Sequence, residues 1–160
     1  MIDKIRKAAK EEFDAIDAVL EQGSIYQIAI EPDWMADTTG ISQSDFNDYI
    51  GNPEKDILVC ERNGQIVGVI QLSVGFVEDP GLRHQPFGCI DEIAVADGFR
   101  SQGVGSKLMS AAESWAIDRS LKMLRLDLWS KNIHAVKLYE KHGFSVIRQR
   151  MFRTIGSNDT

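Results

Sequence analysis

Two runs rich in β-branched and aliphatic residues, "DILVCER" and "QIVGVIQLSV", are joined by Asn63-Gly64. Asn-Gly supplies both left-handed positions of a type I′ turn, whose twist matches that of paired antiparallel strands. The chain therefore holds an antiparallel hairpin near its middle, and the rest must be arranged around that sheet. After the hairpin, "CIDEIAV" reads as a strand and Val104 to about Arg119 as an amphipathic helix. "MLRLDLW" alternates as a strand, "NIHAVKLYEKH" is a short helix stopped by Gly143, and "FSVIRQRMFRTI" is a closing strand. Ahead of the hairpin, "DKIRKA" reads as a short strand. Lys10 to Gln22 have helical spacing with Gly23 as the stop, and "SQSDFNDYI" is a helix capped by Ser42 or Ser44. The order predicts one mixed α/β domain over residues 1–160, with a parallel, right-handed crossover in its second half.

Composition excludes several classes. A net charge of −6 disfavours nucleic acid as a partner, because phosphate binding needs a basic face. No apolar run is long enough to cross a bilayer, and "MIDKIRKAAKEEFDAI" is too charged for a secretory signal, so no membrane partner and a cytoplasmic address are expected. Cys60 and Cys89 have neither disulfide-framework nor metal-ligand spacing, so no metal is expected. Both read as buried free thiols.

"RSQGVGSKLM" puts Gly103 and Gly105 where a strand gives way to a helix. Glycine costs about 1 kcal/mol against alanine within a helix, so the pair asks for a reason. The first N–H groups of a helix have no partner inside it, and with the helix dipole they form an anion site. A tight turn with nothing bound is the alternative. Gly98 and Gly103 have Walker A spacing, but Val104 stands where its lysine must be, and the third glycine of a dinucleotide fingerprint is missing. In "NIHAVKLYEKHGF", Asn132, Ala135 and Tyr139 fall close to one helix face, and small Ala135 leaves room between the other two. Taken alone, Asn132 also suits a helix cap and Tyr139 a core-edge aromatic.

Together, "RSQGVG" and "NIHAVKLYEKHGF" resemble the GNAT superfamily of acetyl-CoA-dependent N-acetyltransferases. The first matches the signature R/Q-x-x-G-x-G/A through Arg100, Gly103 and Gly105. The second matches the family's asparagine, alanine, tyrosine and terminal Gly-Phe. The resemblance is strongest from about Cys89 to Arg150. It implies a mostly antiparallel mixed sheet, splayed between its fourth and fifth strands and flanked by helices on both faces. It also implies an enzyme that moves an acetyl group from acetyl-CoA to a primary amine by direct attack. Backbone amides from Ser101, Gln102, Gly103, Val104, Gly105 and Ser106 would wrap the CoA pyrophosphate, with Arg100 assisting by charge. The backbone of Ile93, Ala94 and Val95 would hold the pantetheine arm and polarise the thioester carbonyl. Asn132 would hydrogen-bond that arm.

The amine must be neutral to attack, so a base has to take its proton. Glu92 is the first candidate, with Asp91, His84 and a water chain as rivals. Tyr139 occupies the family's usual position for the acid that protonates the leaving thiolate. Cys89 as an acyl carrier lacks a histidine partner. His134 and His142 read as surface residues. The acceptor pocket would draw on "YQIAIEPDWMADTTG", "FVEDPGLRHQPFG" and "RQRMFRTI". Trp34, Met35, Phe76 and Phe87 are candidate walls, and Glu31, Asp33, Glu78 and Asp79 candidate anchors for a cation. Protein N-terminal or lysine acetylation, a non-catalytic acetyl-CoA sensor, a longer acyl-CoA, and a monomeric or homodimeric state all stay open at this point.

Overall fold

A computed structural model describes residues 2–77, 79 and 81–156; Glu78 lies outside the described residues. The strands are β1 (Asp3–Lys7), β2 (Lys55–Arg62), β3 (Gln65–Phe76), β4 (Pro86–Val95) and β5 (Leu124–Arg125). They form one sheet in the order β1-β2-β3-β4-β5. Only the β4–β5 pair is parallel. The helices are α1 (Phe13–Ile30), α2 (Gln43–Gly51), α3 (Val104–Asp118) and α4 (Ile133–Lys141), and a short 3₁₀ turn, Lys10–Glu12, precedes α1. The hairpin turn is left-handed at both residues, with φ of 51° at Asn63 and 77° at Gly64. Ser42 caps α2 by accepting from the Asp45 N–H.

Both faces of the sheet are covered. Leu58, Cys60, Ile70, Leu72 and Ile90 pack against Leu108, Met109, Ala112 and Trp115 of α3 and Tyr139 of α4. Ile57, Val59, Val69, Ala94 and Ala96 pack against Ile16, Val19 and Leu20 of α1 and Phe46 of α2. The period-2 alternation of β2 divides its side chains between these two cores.

Two glycines set how closely helices approach the sheet. α1 runs through Gly23 rather than stopping there. A Cβ at Gly23 would lie 2.9 Å from the Cβ of Ala94, so the missing side chain lets α1 cross β4 at short range. Gly68 does the same for α3: a Cβ there would lie 2.6 Å from Val104 Cγ1 and 3.0 Å from Leu108 Cδ1. Gly68→Ala overpacks this contact and should cost about 1–3 kcal/mol, read as a lower urea midpoint at unchanged slope.

Three further expectations need correction. "MLRLDLW" is a strand only at Leu124–Arg125, because β5 leaves β4 at that point. "FSVIRQRMFRTI" forms no strand, since nothing among the described residues pairs with it. His142 is half-buried rather than a surface residue, and its Nε2 is buried without a hydrogen-bond partner.

Candidate active site

β4 pairs with β5 only through Gly88–Leu124 and Cys89–Arg125. From Ile90 onward its outer edge pairs with no strand among the described residues. The Ala96 N–H donates to the Val67 carbonyl on β3. By antiparallel alternation the Ala94 backbone also faces β3, whereas Ile93 and Val95 turn theirs to the outer edge, where Arg100 Nε donates to the Val95 carbonyl at 3.3 Å. Of the three residues expected to hold a pantetheine arm, Ala94 therefore lacks a free backbone group. The register shifts between Gln71 and Leu72, so Asp91 is the extra residue of a bulge. The Tyr49 hydroxyl donates to Asp91 at 2.7 Å. Glu92 has no side-chain partner among the described residues.

Glu92 is exposed at the surface, though crowded by neighbouring protein. Poor solvation pushes its carboxyl above the usual carboxylate range; the Ile93 N–H opposes this and the Asp91 charge adds to it. Tyr139 is buried, and desolvation followed by the Glu92 charge pushes its phenol up to about 12. Its hydroxyl finds no hydrogen-bond partner among the described residues. Asn132 is 6% exposed. Its Oδ1 accepts from the Ala135 N–H at 3.2 Å and so caps α4, while its Nδ2 has no partner among the described residues. The cap and a ligand contact use different atoms of this side chain.

The glycine loop follows β4. Gly98, Ser101 and Gly103 have positive φ, and Gly103 is a left-handed N-cap with no side-chain cap. Among the described residues, no N–H from Ser101 to Ser106 reaches a protein acceptor, so the mouth of α3 is a cluster of free donors. The two glycines serve differently. Nothing approaches a Cβ at Gly103, where φ is +83°, so that residue answers to backbone conformation. A Cβ at Gly105 would lie 3.1 Å from Leu138 Cδ2, so that residue lets α4 pack against α3.

The loop is braced from β2. Arg62 donates to Asp3 at 2.6 and 2.9 Å and to Gln102 Oε1 at 2.6 Å, and Gln102 Nε2 donates to the Gly98 carbonyl at 2.8 Å. Lys107 reaches Asp3 at 2.7 Å. These cations hold the Asp3 carboxyl well below the usual range. Gln102 thus spends its side chain on the scaffold. Arg100 is also committed: it contacts Asp97 at 3.0 Å and stacks on Tyr26, 4.6 Å from the ring centroid.

The remaining candidates are scattered. His84 and His134 are exposed. Burial pushes the half-buried Cys89 thiol up, away from a reactive thiolate. Phe87 is buried in the sheet, whereas Trp34 and Phe76 are exposed. Among the described residues there is no cluster of three or more potential metal ligands, and no helix is long and apolar enough to cross a membrane.

Residues 20–144 match the model of the acetyltransferase (GNAT) family. The chain belongs to that family. The GNAT assignment agrees with a Bacillus subtilis protein, YhfO, named an uncharacterized N-acetyltransferase. It is 31% identical over 93 residues, covering 58% of this chain and 60% of that protein's length. The GNAT fold also superposes on a solved point mutant of the BH1408 protein from Bacillus halodurans, with a TM-score of 0.88, 17% identity, and coverage of 95% and 99%. AAC(6')-Iy, an aminoglycoside N-acetyltransferase solved with the bisubstrate analogue CoA-S-monomethyl-acetylneamine, gives 0.74, 17%, 96% and 98%.

Sequence pattern alone does not reveal Tyr49, which engages Asp91, or the Asp3–Arg62–Gln102 brace. Nor does it reveal Lys131, which reaches the buried Glu31 at 3.3 Å. Each joins residues more than 30 positions apart, beyond the reach of local pattern.

Proposed function

We propose that this GNAT acetyltransferase moves an acetyl group from acetyl-CoA to a primary amine of a small molecule by direct attack in a ternary complex. The observation that carries the reading is Tyr139, buried and within the influence of the Glu92 charge, beside a strand edge that pairs with no strand beyond Cys89 among the described residues. The uncapped mouth of α3 fits a pyrophosphate: it offers N–H donors and the positive end of a helix dipole. Asn132 Nδ2 and the Ile93 and Val95 backbone would hold the arm, and an N–H on that edge would stabilise the oxyanion.

In this reading Glu92 accepts the proton released when the amine nitrogen bonds to the acetyl carbon, directly or through one water. Tyr139 donates to the sulfur as the carbon–sulfur bond breaks and recovers its proton from solvent. Asp91 is the weaker base because Tyr49 already occupies it. At the acceptor end, Gln27 Oε1 and Asp33 are the acceptors left for an amine. Glu31, buried at the end of α1, is already paired with Lys131 at 3.3 Å, and one turn earlier Gln27 Oε1 is buried without a partner among the described residues. Asp33 is exposed, and Asp79 is already paired with Arg148 at 3.7 Å. An acceptor with more than one amino group suits this set, and the aminoglycoside acetyltransferase among the structural neighbours is consistent with it.

Release of CoA thiol, followed across aminoglycosides, polyamines, amino-acid derivatives and peptides, tests the reading. Turnover with multiply charged small amines is expected; turnover only with peptides would overturn the small-molecule assignment, and none with any amine would leave a sensor. Gly103→Val forces a side chain into a left-handed position and turns the loop donors away. Loss of one or two hydrogen bonds to a charged group predicts acetyl-CoA binding about ten- to hundredfold weaker by calorimetry.

A further inference from the structure

Arg62, the last residue of β2, is buried. A buried guanidinium needs an acceptor for each direction of its rigid fork. Asp3 lies opposite Arg62 in the β1–β2 register, and its side chain is 1% exposed. It takes Nε and Nη2 at 2.6 and 2.9 Å. The third nitrogen points out of the sheet. Nη1 donates to Gln102 Oε1 at 2.6 Å, and the guanidinium carbon lies 5.7 Å from the centre of the Phe99 ring. Both partners belong to the glycine loop. The register of β2 shifts between Cys60 and Glu61, just before Arg62, and a bulge of this kind re-aims the side chains beside it.

The loop depends on being held from outside. Gly98, Ser101 and Gly103 all have positive φ, a strained conformation for Ser101. No N–H from Ser101 to Ser106 has an acceptor among the described residues, so backbone bonds donated by these residues do not fix the loop's shape. The Gln102 amide spans it instead: Oε1 faces Arg62, and Nε2 donates to the Gly98 carbonyl at 2.8 Å. One line of hydrogen bonds thus runs from Asp3 through Arg62 and Gln102 to Gly98. A loop that is ordered before its ligand arrives spares binding the cost of ordering it.

We propose that Arg62 and the Gln102 side chain are positioning residues for acetyl-CoA, which hold the glycine loop in its binding shape and raise affinity without touching the cofactor. The proposal rests on the loop as the pyrophosphate site. It is independent of the base, the acid and the acceptor.

Calorimetry with acetyl-CoA tests it, together with initial rates of CoA release. Gln102 has no positive φ, so alanine fits its backbone. Loss of the link predicts that Gln102→Ala binds acetyl-CoA about three- to tenfold more weakly. The KM for acetyl-CoA should rise in step, with kcat and the KM for the amine as in the parent. Arg62→Lys keeps a cation for Asp3 but loses the fork, and its effect should match. Two residues acting through one link are not additive, so the double variant should bind no more weakly than either single one. Parent-like affinity in Gln102→Ala overturns the proposal, as do losses that multiply in the double variant. Weakening in Gln102→Ala but not in Arg62→Lys would make Gln102 a direct phosphate contact, and an equal fall in kcat would mark a general loss of structure; either result overturns it too. Gly103→Val separates the proposal from the reading beneath it. If that variant binds acetyl-CoA like the parent, the loop is not the pyrophosphate site and both fall. If it binds weakly while Gln102→Ala does not, only the positioning role falls.

Discussion

Tyr139→Phe should lower kcat by about 10²–10⁴-fold, the usual worth of general acid catalysis, with acetyl-CoA affinity close to that of the parent. The substitution keeps the buried ring and its packing against Phe144 and removes only the hydroxyl. That hydroxyl has no partner among the described residues, so its loss strands no buried group. Burial pushes the phenol up to about 12, so it remains protonated throughout the working range and is always available as a donor. The same rise makes it a reluctant acid against a thiol of pKa about 8.5, by analogy with cysteine. Its help is then greatest as a hydrogen bond to developing charge on sulfur, which argues for the lower end of the range. The loss should shrink with a thioester whose leaving thiol is more acidic. Parent-like turnover would make Tyr139 a packing residue; equal losses in binding and rate would make it a cofactor contact.

Glu92→Gln should reduce kcat/KM by a similar factor of about 10²–10⁴, and it should act on pH dependence in two opposed ways. A base must be ionised, so parent activity falls as pH drops through the raised Glu92 pKa, and the variant loses that acid limb. Stability moves the other way. Between its unfolded and its higher folded pKa, the native state binds more proton than the unfolded state. Stability therefore declines as pH rises through that window. Glutamine removes the cost of a poorly solvated charge, so the variant should melt higher than the parent at neutral pH and equal to it in acid. A slower enzyme that is more stable is the expected signature of a strained functional group. Unchanged kcat/KM would pass the role to a water chain or to Asp91, and Asp91→Asn would then be the damaging change.

What could be read from the sequence followed from local rules. The Asn63-Gly64 turn, the Ser42 cap and the Gly143 stop each depend on a few adjacent residues, and all three stand in the structure. Gly23 misled because glycine signals a helix end locally, whereas here it serves a contact with Ala94 on another element. Gly105 was legible as a site of close approach, but the approaching group is Leu138 of α4. β5 reads longer than it is because alternation records which face a residue turns, not whether a neighbouring strand is there. Segment 145–155 fails as a strand for the same reason. The choice between Asp91 and Glu92 could not be made from their alternation along β4. It rests on a bulge and on a hydroxyl from residue 49, both of which need the folded chain. Arg100 looked free to meet a phosphate, and only the structure gives it Tyr26 and Asp97 as partners.

In the proposed complex acetyl-CoA lies along the open edge of β4 with its pyrophosphate at the mouth of α3, and every catalytic role above depends on that placement. Amide hydrogen exchange with and without saturating acetyl-CoA tests it, because the N–H groups of Ser101 to Ser106 have no acceptor among the described residues of the free chain. Strong slowing is predicted at Ser101 to Ser106 and at Val95, with Ala94 little changed because β3 already holds its backbone. Binding without protection in the Ser101–Ser106 loop, or protection confined to another part of the molecule, would contradict it.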